Sequence, residues 1–581
     1  MMKNIKSIIN QRLTIVVLAF ILLLSSCSKK WLDIEPQDRV SEDAVWDNPS
    51  VADLFLNDIY GYLPPYRTTG WWSESWTDNC INTQTWQGQA EIVRSGTMSP
   101  SNTLFTIKRY DAVNDWYWDT NFVYIRKCNV FIQKVRESEA LTSEYKAERV
   151  AEAKFLRAWF YMTTFKYYGG LPLMDEPLDI KTQGDAIFRE RATAQATVAF
   201  ISKDCQEAAD SLPVDQPEWG RITKGAALAL KGYIELLGAS PLSNPDGSTD
   251  LWAKAAASYK QVIDLAKYQL TPYFHGLFIE DNNHNSEMIL PYVIRYPLAN
   301  EDQDTRFLED LFGPANAIIQ PFGVVNYSIV ESTPTQDLVD AYRMKDGKTI
   351  TESSLYDPAH PYANREPRFY ESIIYDGAPF RDGNIYTRKG DPYNAVDRAR
   401  TSWVTPTGYY IRKTYDERIN GLLERPKGKK NLGDWPLIRY ADVLLGYAEA
   451  QNEAVGPDAS VLDAINKIRQ RTDVSIPTIQ DTYGAVSKEQ MRDIIRNERR
   501  VELAFEDKRY TDITRWKIGN KLQGFVRGVE PSLNTGTGQI TYDYFNVVPQ
   551  SFDITNDKNY RLPIPLSTME KNPKLQQNPG Y

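Results

Sequence analysis

A strongly aromatic stretch in the first third of the chain constrains the fold most. Residues 152–173 read EAKFLRAWFYMTTFKYYGGLPL, and Leu156, Phe160 and Tyr167 recur at helical spacing, which predicts a helix with an apolar face. Gly169 predicts the end of this helix, because glycine tolerates the left-handed conformation of a helix C-terminus. Small residues between the large rings allow close packing, and a helix this aromatic requires partner helices.

Several later stretches are predicted to supply those partners. The pair 222–239 and 252–267 has Ala, Gly and Tyr at close-packing positions, and the four-residue spacing of Ala255 and Tyr259 is typical of a tetratricopeptide hairpin. Ser487 and Gln490 predict a capping box at a helix start. All the partner helices are predicted over residues 41–62, 111–137, 193–212, 222–239, 252–267, 435–454, 459–472 and 487–516.

The remaining regions lack helical periodicity. Residues 66–105 are rich in Trp, Thr, Ser, Asn and Gln, which indicates an ordered loop region. Residues 271–431 are dense in Pro, Gly, Asn and Asp and hold short strand-like runs such as MILPYVIRY. After residue 517 we expect turns and extended chain, with prolines and asparagines excluding a final helix. The predicted fold is mainly α, with a scaffold over 41–270 and 432–516 and an irregular insertion over 271–431.

The N-terminus has the features of an export signal. Three basic residues precede an apolar run at 13–24, which is too short to span a bilayer and predicts a secretory signal over residues 1–26. The sequence Leu-Ser-Ser-Cys then matches the bacterial lipobox, which predicts cleavage before Cys27 and lipid attachment to that residue. A plain signal peptide with an incidental cysteine is the alternative. No other stretch reaches spanning length, so we expect an anchored protein.

Composition excludes several classes of protein. The formal net charge of -9 argues against general nucleic-acid binding, which requires a basic face. The cysteines that remain after Cys27, which are Cys80, Cys128 and Cys205, have no CxxC spacing and predict neither a disulfide framework nor a zinc site. The chain contains 14 Trp, 35 Tyr and 21 Phe, which serve the core first but also favour a ligand that stacks, such as sugar.

Seven stretches of the chain together carry a resemblance to a known family. The first is Cys27 followed by WLDIEP, and FLRAWFYMTTFKYYGGLPL is the second. PTQDLVDAYRMKDGK, REPRFYESIIYDG and PLIRYADVLLGYAEAQNEA come next, before IRNERRVELAFEDKRYTDITRWK and LPIPLSTMEKNPKLQQNPGY. The seven stretches span the chain from residue 27 to residue 581, and in this order they resemble the SusD-like (RagB/SusD) family of surface lipoproteins of the Bacteroidetes.

The resemblance implies a single domain over 27–581, with a right-angled α-helical scaffold of four tetratricopeptide hairpins and an irregular ligand-binding lobe. It also implies a protein that has no cofactor and no catalytic activity. Such proteins are anchored by lipid on the outer face of the outer membrane. They capture glycans, or less often peptides, and cap a SusC-like TonB-dependent transporter that imports the cargo.

The charged residues within the helical motifs admit two interpretations. Arg496, Glu498, Arg499 and Arg500 have the appearance of an active-site cluster. On a helix beside apolar residues, however, they are more typical of buried ion pairs that lock helices together, and we adopt that interpretation. The same interpretation applies to Arg157, Glu449 and Glu453.

The segment 66–86, YRTTGWWSESWTDNCINTQTW, is the first predicted ligand site. Flat indole faces stack on the C–H faces of sugars, and planar amides and carboxylates bind their hydroxyl groups, which is the chemistry of a carbohydrate site. The alternative is that two or more of the tryptophans fill the helical core. The predicted ligand-binding residues of this segment are Trp71, Trp72, Trp76, Asp78, Asn79, Asn82 and Trp86.

A second candidate lies in the irregular insertion. Phe322, Asn326 and Tyr327 precede one of the family-like motifs, in a part of the chain that the resemblance places near the ligand pocket. Core packing is the alternative for these three residues. Trp403, in the loop before GYYIRK, is a weaker candidate of the same kind.

Catalysis is the rival hypothesis. Two acidic clusters, Glu280-Asp281 and the group Glu301, Asp302 and Asp304, could supply the carboxylate pair of a glycoside hydrolase, but 76 acidic residues make such clusters expected by chance. The sequence has no GxSxG, HExxH, P-loop or GxGxxG motif. His275 and His284 flank an acidic stretch that could bind a cation. The alternative interpretation of this stretch is a solvated loop. We therefore predict no catalytic residues and no metal, and a pure protein-interaction scaffold is the third class considered.

Overall fold

The computed structural model describes residues 46–63, 73–83, 88–104, 118–279, 283–293, 332–381, 383–402, 404–418 and 433–581. Within these ranges the first helices are α1 (Pro49–Tyr60), α2 (Gly88–Ser95), α3 (Trp118–Glu137), α4 (Ser143–Tyr168), α5 (Ile180–Gln183), α6 (Ala194–Ser211), α7 (Lys224–Ala239) and α8 (Thr249–Asp264). The later ones are α9 (Gln336–Ala341), α10 (Pro367–Ser372), α11 (Tyr440–Val455), α12 (Ala459–Arg469), α13 (Ile479–Tyr483), α14 (Lys488–Glu502), α15 (Arg509–Arg515) and α16 (Leu566–Lys571).

The described strands form five two-stranded antiparallel sheets. Four of them are small and pin irregular chain to the scaffold: β1 (Cys80–Asn82) with β3 (Ser332–Pro334), β2 (Met288–Tyr292) with β8 (Trp435–Arg439), β4 (Ile373–Ile374) with β7 (Tyr410–Ile411), and β5 (Ala378–Phe380) with β6 (Gly383–Ile385). The fifth is a long hairpin of β9 (Gln523–Leu533) and β10 (Ile540–Ser551), which is bulged between Asn546 and Val548. The fold is therefore mainly helical with short strands, as the sequence predicts.

The helices α3, α4, α6, α7, α8 and α11 pack in a continuous row, each against the next, and α12 and α14 both pack on α11. The central helix α4 begins at Thr142, whose side chain accepts a hydrogen bond from the Tyr145 amide, and ends at Gly169 with φ of 77°. A Cβ at Gly169 would approach the Arg561 side chain to 2.8 Å, so both the backbone conformation and the space there favour glycine.

The tetratricopeptide-like packing depends on one large side chain between two glycines. Tyr259 of α8 is buried, and its ring lies against Gly232 of α7 and Gly446 of α11. A Cβ added at Gly232 would lie 2.7 Å from the Tyr259 ring, and one at Gly446 would lie 2.5 Å from it. The missing side chains therefore let three helices approach one another closely, which confirms the hairpin predicted from Ala255 and Tyr259.

Four details of the predicted elements are wrong. The helix predicted over 487–516 is divided into α14 and α15, because Phe505 and Asp507 adopt positive φ in the turn between them. The region predicted as loop contains α2, and the stretch predicted as the start of α11 is strand β8. The C-terminal part also contains a short helix, α16, which begins directly after Pro565 and has no proline inside it.

The interpretation of the charged motif residues as ion pairs is confirmed for each of them except Arg496. Arg157 donates to both oxygens of Asp204 at 2.7 Å, and Arg499 bridges Asp442 and Asp512. The remaining pairs are Glu449 with Arg515, Glu453 with Arg492, Glu498 with Arg368 and Arg469, and Arg500 with Asp78, while Arg496 stacks on the Trp516 ring.

Two further findings concern sequence expectations. Cys80, Cys128 and Cys205 are buried free thiols. Among the residues that the structure describes, none of the helices combines the length and the apolar composition that crossing a lipid bilayer requires.

Candidate ligand-binding site

The predicted ligand-binding residues divide into two groups. Trp76, Asp78, Asn79 and Asn82 belong to the described segment 73–83. The others lie outside the described residues, as does the predicted lipidation site; these are Trp71, Trp72, Trp86, Phe322, Asn326, Tyr327, Trp403 and Cys27.

Trp76 is part of the core. It ends a 3₁₀ turn over Ser73–Trp76. Its ring packs edge-on against Tyr510, with ring centres 5.3 Å apart, and obliquely against Tyr167 of α4, with ring centres 6.3 Å apart. Its exposed fraction is 0%, so neither indole face is open to a stacking ligand. For Trp76 the alternative that the sequence left open, core packing, fits the structure, and the ligand-stacking interpretation does not.

Asp78 and Asn79 are held by the C-terminal helices. Arg509 donates to both Asp78 oxygens at 2.8 Å, and Arg500 lies 3.0 Å from the same carboxylate. Burial alone would raise the pKa of the Asp78 carboxyl, but the two guanidinium groups hold it well below its usual range. Asn79 accepts from Arg500 Nε at 2.8 Å and donates to Glu74 Oε2 at 3.0 Å. These polar groups bind the segment to α14 and α15 instead of facing solvent.

Asn82 lies in strand β1 and is also buried. It pairs with Ser332 of β3, and its backbone carbonyl accepts a hydrogen bond from Arg400 Nη2 at 2.9 Å. Arg400 also pairs with Glu91 of α2 at 2.8 Å. Because Asn82 connects three segments that are distant in sequence, its role in the structure is to fix their ends together.

Some of the undescribed parts of the chain end at one group of described residues, which we call the anchor cluster and define as residues 73–83, 332–335, 400–402 and 404–407. β1 pairs with β3 along three residues, Thr335 donates to the Asp78 carbonyl at 2.6 Å, and Thr407 bonds Thr333 at 3.3 Å. The ranges 64–72, 84–87 and 294–331, and residue 403, each join this cluster directly. These are the ranges that contain the remaining predicted ligand residues.

A group of buried charges lies under the first of these ends. Asp507 accepts the Ser73 amide at 2.9 Å, and Glu74 is wholly buried. Burial raises the pKa of Glu74 to about 7 despite its hydrogen bond from Asn79, and the neighbouring Asp507 adds to the effect. Burial likewise lowers the pKa of Lys166 to about 8. The start of the described segment is thus attached through groups whose charge depends on pH near neutrality.

Sequence analysis did not identify a stacked aromatic pair, one ring of which is exposed, near the start of the undescribed range 64–72. Tyr62 stacks on Tyr124 with ring centres 3.9 Å apart, and Lys127 lies over Tyr124 at 4.5 Å. Tyr62 is 39% exposed and lies two residues before the start of the range 64–72. The available signal was the pattern of aromatic residues on both sides of Pro64-Pro65.

The histidines occupy separate surroundings. His275 Nε2 lies 2.9 Å from the Tyr415 carbonyl, His284 stacks on Trp219, and His360 contacts Asp357 at the surface. Within the described ranges no group of three or more His, Cys, Asp or Glu side chains has metal-binding geometry. The acidic clusters considered for a hydrolase, Glu280-Asp281 and the group at 301–304, lie outside the described residues.

Two family models match the chain. Residues 315–581 match the model described as the SusD family, and residues 30–236 match the model described as starch-binding associating with outer membrane. Between them they cover most of both the scaffold and the C-terminal region.

Relatives of known name match along nearly their full length. A SusD-like protein P38 from Formosa agariphila is 24% identical over 540 residues, which are 91% of this chain and 95% of that protein. The protein named Starch-binding protein SusD from Bacteroides thetaiotaomicron is 27% identical over 541 residues, which are 89% of this chain and 86% of that protein.

Solved structures share the fold. A SusD-like protein from Bacteroides fragilis superposes with a TM-score of 0.75 at 25% identity, covering 94% of this chain and all of that one. A second protein of Bacteroides fragilis, described as a SusD-like carbohydrate binding protein, gives a TM-score of 0.70 at 26% identity and covers 92% of this chain. The two family models, the relatives and the shared fold agree with the order of the sequence motifs, and the chain belongs to the SusD-like (RagB/SusD) family.

Proposed function

We propose that this protein is a cell-surface lipoprotein that captures an oligo- or polysaccharide and delivers it to a SusC-like TonB-dependent transporter of the outer membrane. Membership of the family supports this function, as do the description of one family model as starch-binding and the name of the relative from Bacteroides thetaiotaomicron. The observation that carries the ligand part of the proposal is the anchor cluster.

Chain connectivity links the anchor cluster to the remaining predicted ligand residues. Trp72 directly precedes Ser73 in the sequence, and Trp403 directly follows Ser402. Tyr327 precedes Ser332 by five residues. Residues proposed independently from two distant parts of the sequence therefore belong to chain segments that join a single cluster.

The anchor cluster gives the proposed site a rigid base. Binding constellations need first-contact residues whose positions are fixed by buried hydrogen bonds behind them. Trp76, Asp78, Asn79 and Asn82 supply that support through Tyr510, Arg500, Arg509, Ser332 and Arg400. In the proposed site Trp71, Trp72, Trp86, Phe322 and Tyr327 provide aromatic faces and Asn326 provides an amide for sugar hydroxyl groups.

The proposed site binds its ligand without altering it. Asp78, the predicted ligand residue that carries a carboxylate, is bound by Arg509 and Arg500 and stays ionised, so it does not serve as the general acid of a hydrolase. Attachment through lipid at Cys27 would hold the protein at the outer membrane, facing the exterior, beside its transporter.

Affinity electrophoresis in gels that contain single polysaccharides tests the ligand proposal. We expect retardation by at least one glycan, and about tenfold weaker binding for each of Trp71→Ala, Trp72→Ala and Tyr327→Ala, because each loses a stacking face. Tyr273→Ala is a matched control, since Tyr273 is a tyrosine that is 66% exposed and lies outside the anchor cluster. Each purified variant is first checked for an unchanged melting temperature.

Three other results would change the conclusion. Retardation that none of the aromatic substitutions affects would remove the site from the anchor cluster. Release of reducing sugar from any retarding polysaccharide would establish the hydrolase. Retention by immobilised peptides with no retardation by glycans would favour the peptide-binding member of the family's two ligand classes.

Membrane fractionation tests the anchor and the partner. We expect the native protein in the outer-membrane fraction, accessible to protease on intact cells, and co-purifying with a TonB-dependent transporter after detergent extraction. The Cys27→Ala variant should leave the membrane fraction, because one residue carries the lipid. An unchanged distribution of that variant would contradict the lipid anchor.

A further inference from the structure

A polar cavity of about 660 Å³ opens on the helical scaffold, at a place that the proposed glycan site does not use. It lies between the turn joining α7 to α8, helix α11 and helix α14. Its charged lining residues are Lys488, Arg492, Arg496, Lys517, Glu449 and Glu453. Cations therefore outnumber carboxylates in the lining by two, in a chain whose net charge is -9.

Both carboxylates of the cavity already have partners. Glu449 accepts from Arg515 at 2.6 Å with each oxygen and from the Trp516 indole nitrogen at 2.7 Å. Burial would raise the pKa of Glu449, but Arg515 lowers it, so the carboxylate stays ionised and neutralised. Glu453 accepts from Arg492 at 2.5 Å and 2.6 Å. Both carboxylates also act on Arg496 through space, but within the described residues neither forms an ion pair or a hydrogen bond with it.

Arg496 is a lining cation that forms no ion pair with a carboxylate among the described residues. Its guanidinium lies over the Trp516 ring at 4.8 Å, and Arg515 lies 4.5 Å from the same ring. No hydrogen bond to the Arg496 side chain is found within the part of the chain that the structure describes. An arginine has five N–H donors in a fixed plane, and stacking holds that plane in place without using any of them.

Two lysines lie beside this arginine on the cavity wall. Lys488 Nζ donates to the Glu453 carbonyl at 2.6 Å, which uses one of its three N–H groups, and it forms no ion pair with a carboxylate among the described residues. Lys517 pairs with Asp557 at 2.7 Å on the rim. The donors of Arg496 and Lys488 thus converge on a volume of the size that small-molecule sites occupy.

We propose that this cavity binds a small solute through a carboxylate or sulfate group, with Arg496 as the bidentate donor and Lys488 as the second cation. The forked N–H groups of arginine match the spacing of two oxygens on one planar or tetrahedral anion. The stacking on Trp516 fixes the fork before the anion arrives, so little side-chain entropy is lost on binding. The neutral wall formed by Pro241 and Trp252 leaves room for the rest of the solute.

Isothermal titration calorimetry of the whole protein with three probes tests this proposal. We expect inorganic sulfate and glucuronate to bind, with affinities that fall as sodium chloride is added, and glucose to show no binding because it lacks the anionic group. Binding of both anions identifies the shared oxyanion site, and tighter binding of glucuronate than of sulfate identifies an acidic sugar as the preferred source.

Substitutions then place the site. Arg496→Gln should weaken anion binding about tenfold or more, since it removes a charge-assisted bidentate contact, and Lys488→Gln should weaken it less. Arg496→Lys retains the charge without the fork and should fall between native and Arg496→Gln. Lys203→Gln is the matched control, because the Lys203 side chain is 74% exposed on α6.

The proposal is overturned if neither anion binds, if Arg496→Gln weakens glucose binding as much as glucuronate binding, or if Arg496→Gln binds anions as tightly as the native protein. We expect the Arg496→Gln variant to be retarded by glycan in affinity gels as the native protein is. This result would show that the cavity and the aromatic site are separate. Because Lys488 is a partly exposed residue of the first turn of α14, Lys488→Gln still tests the cavity if Arg496→Gln does not fold.

Discussion

The row of helices and the junction between the helices and the irregular lobe both contain buried contacts, but different forces dominate them. In the row, the buried Tyr259 ring fits between Gly232 and Gly446 by shape, and the pair of Arg157 with Asp204 adds one buried charge contact. At the junction, Arg368 binds Glu366, Glu498 and Glu502, all of which have an exposed fraction of 0%. The contact around Tyr259 is specified by shape, and the junction is specified by charge.

The charge network extends across the whole junction. Arg439 connects Glu287, Glu502 and Glu506, and Arg471 connects Glu287 and Glu502. Glu287 and Lys413 belong to the irregular lobe. Glu502 is the last residue of α14, and Glu506 lies in the turn after it. A lobe with few regular elements has few apolar faces to pack, so directional bonds position it against the helices instead. Each region should therefore be sensitive to a different kind of substitution.

Removing a charge from the junction should have the largest effect. Arg368→Met leaves three carboxylates in a buried site without their common partner, and we expect a loss of about 3–5 kcal/mol in the free energy of unfolding. Lys127→Met provides the control, because its pair with Asp58 is partly exposed and contributes less than about 1 kcal/mol. Urea unfolding followed by circular dichroism measures both. Similar small losses for the two variants would show that the network does not carry the junction.

The anchor cluster should show a pH effect that depends on Glu74. The pKa of Glu74 is about 7 in the folded protein and about 4.3 in an unfolded chain. The folded state therefore binds more protons between those values, so this group makes the protein less stable as pH rises from about 4.5 to 7. Glu74→Gln removes that cost, which is at most about 3.7 kcal/mol at pH 8 and about 1 kcal/mol at pH 5.

Melting temperatures of native and Glu74→Gln protein at pH 5 and pH 8 check the sign. The variant should gain more stability relative to the native protein at pH 8 than at pH 5. Glu218→Gln is the control, since the Glu218 side chain is 70% exposed. If the difference in melting temperature between native and variant protein is the same at pH 5 and pH 8, the prediction of a buried carboxyl that is protonated near neutral pH is contradicted.

In the helical row, adding a single methyl group should destabilise. Glycine to alanine within a helix normally stabilises by about 1 kcal/mol. At Gly446 the new Cβ would lie 2.5 Å from the Tyr259 ring, so we expect Gly446→Ala to cost about 1–3 kcal/mol through overpacking. Gly383→Ala has open space around it and should change the free energy of unfolding by less than about 0.5 kcal/mol. A stabilised Gly446→Ala would show that the seam is loosely packed.

The smallest effect concerns a helix end. Ser487 accepts from the Gln490 amide, and its own amide donates to the Gln490 side chain, so Ser487→Ala removes half of the capping box. We expect a loss of about 1 kcal/mol in unfolding free energy. Thr535→Ala, in the exposed turn between β9 and β10, is the control. Equal stabilities of the two variants would mean that tertiary contacts alone fix the start of α14.

Local sequence signals predicted the helical row well. Helix α6 was predicted over 193–212 and is found at Ala194–Ser211, because Thr193 caps its first turn and Pro213 follows its end. The capping box and the Gly169 terminus were likewise predicted correctly. These elements are determined by residues within a few positions of one another, which a single sequence displays.

The junction and the anchor cluster could not be predicted in the same way. The turn that divides α14 from α15 contains no glycine; Glu506 binds Arg439 and Lys413 there, and Asp507 binds the Ser73 amide. Trp76 is buried by rings from residues 167 and 510, which nothing in its own segment reveals. A polar, tryptophan-rich segment has the same composition whether it meets a ligand or the core of the protein.

Hydrogen–deuterium exchange with and without a retarding polysaccharide tests the central claim most directly. The claim is that the anchor cluster supports a glycan site formed by the chain segments that join it. We predict that the glycan slows exchange in peptides covering 64–72, 84–87 and 319–331 and leaves the rates in α7 and α8 unchanged. Protection confined to the helical row, with none in those three segments, would contradict the account.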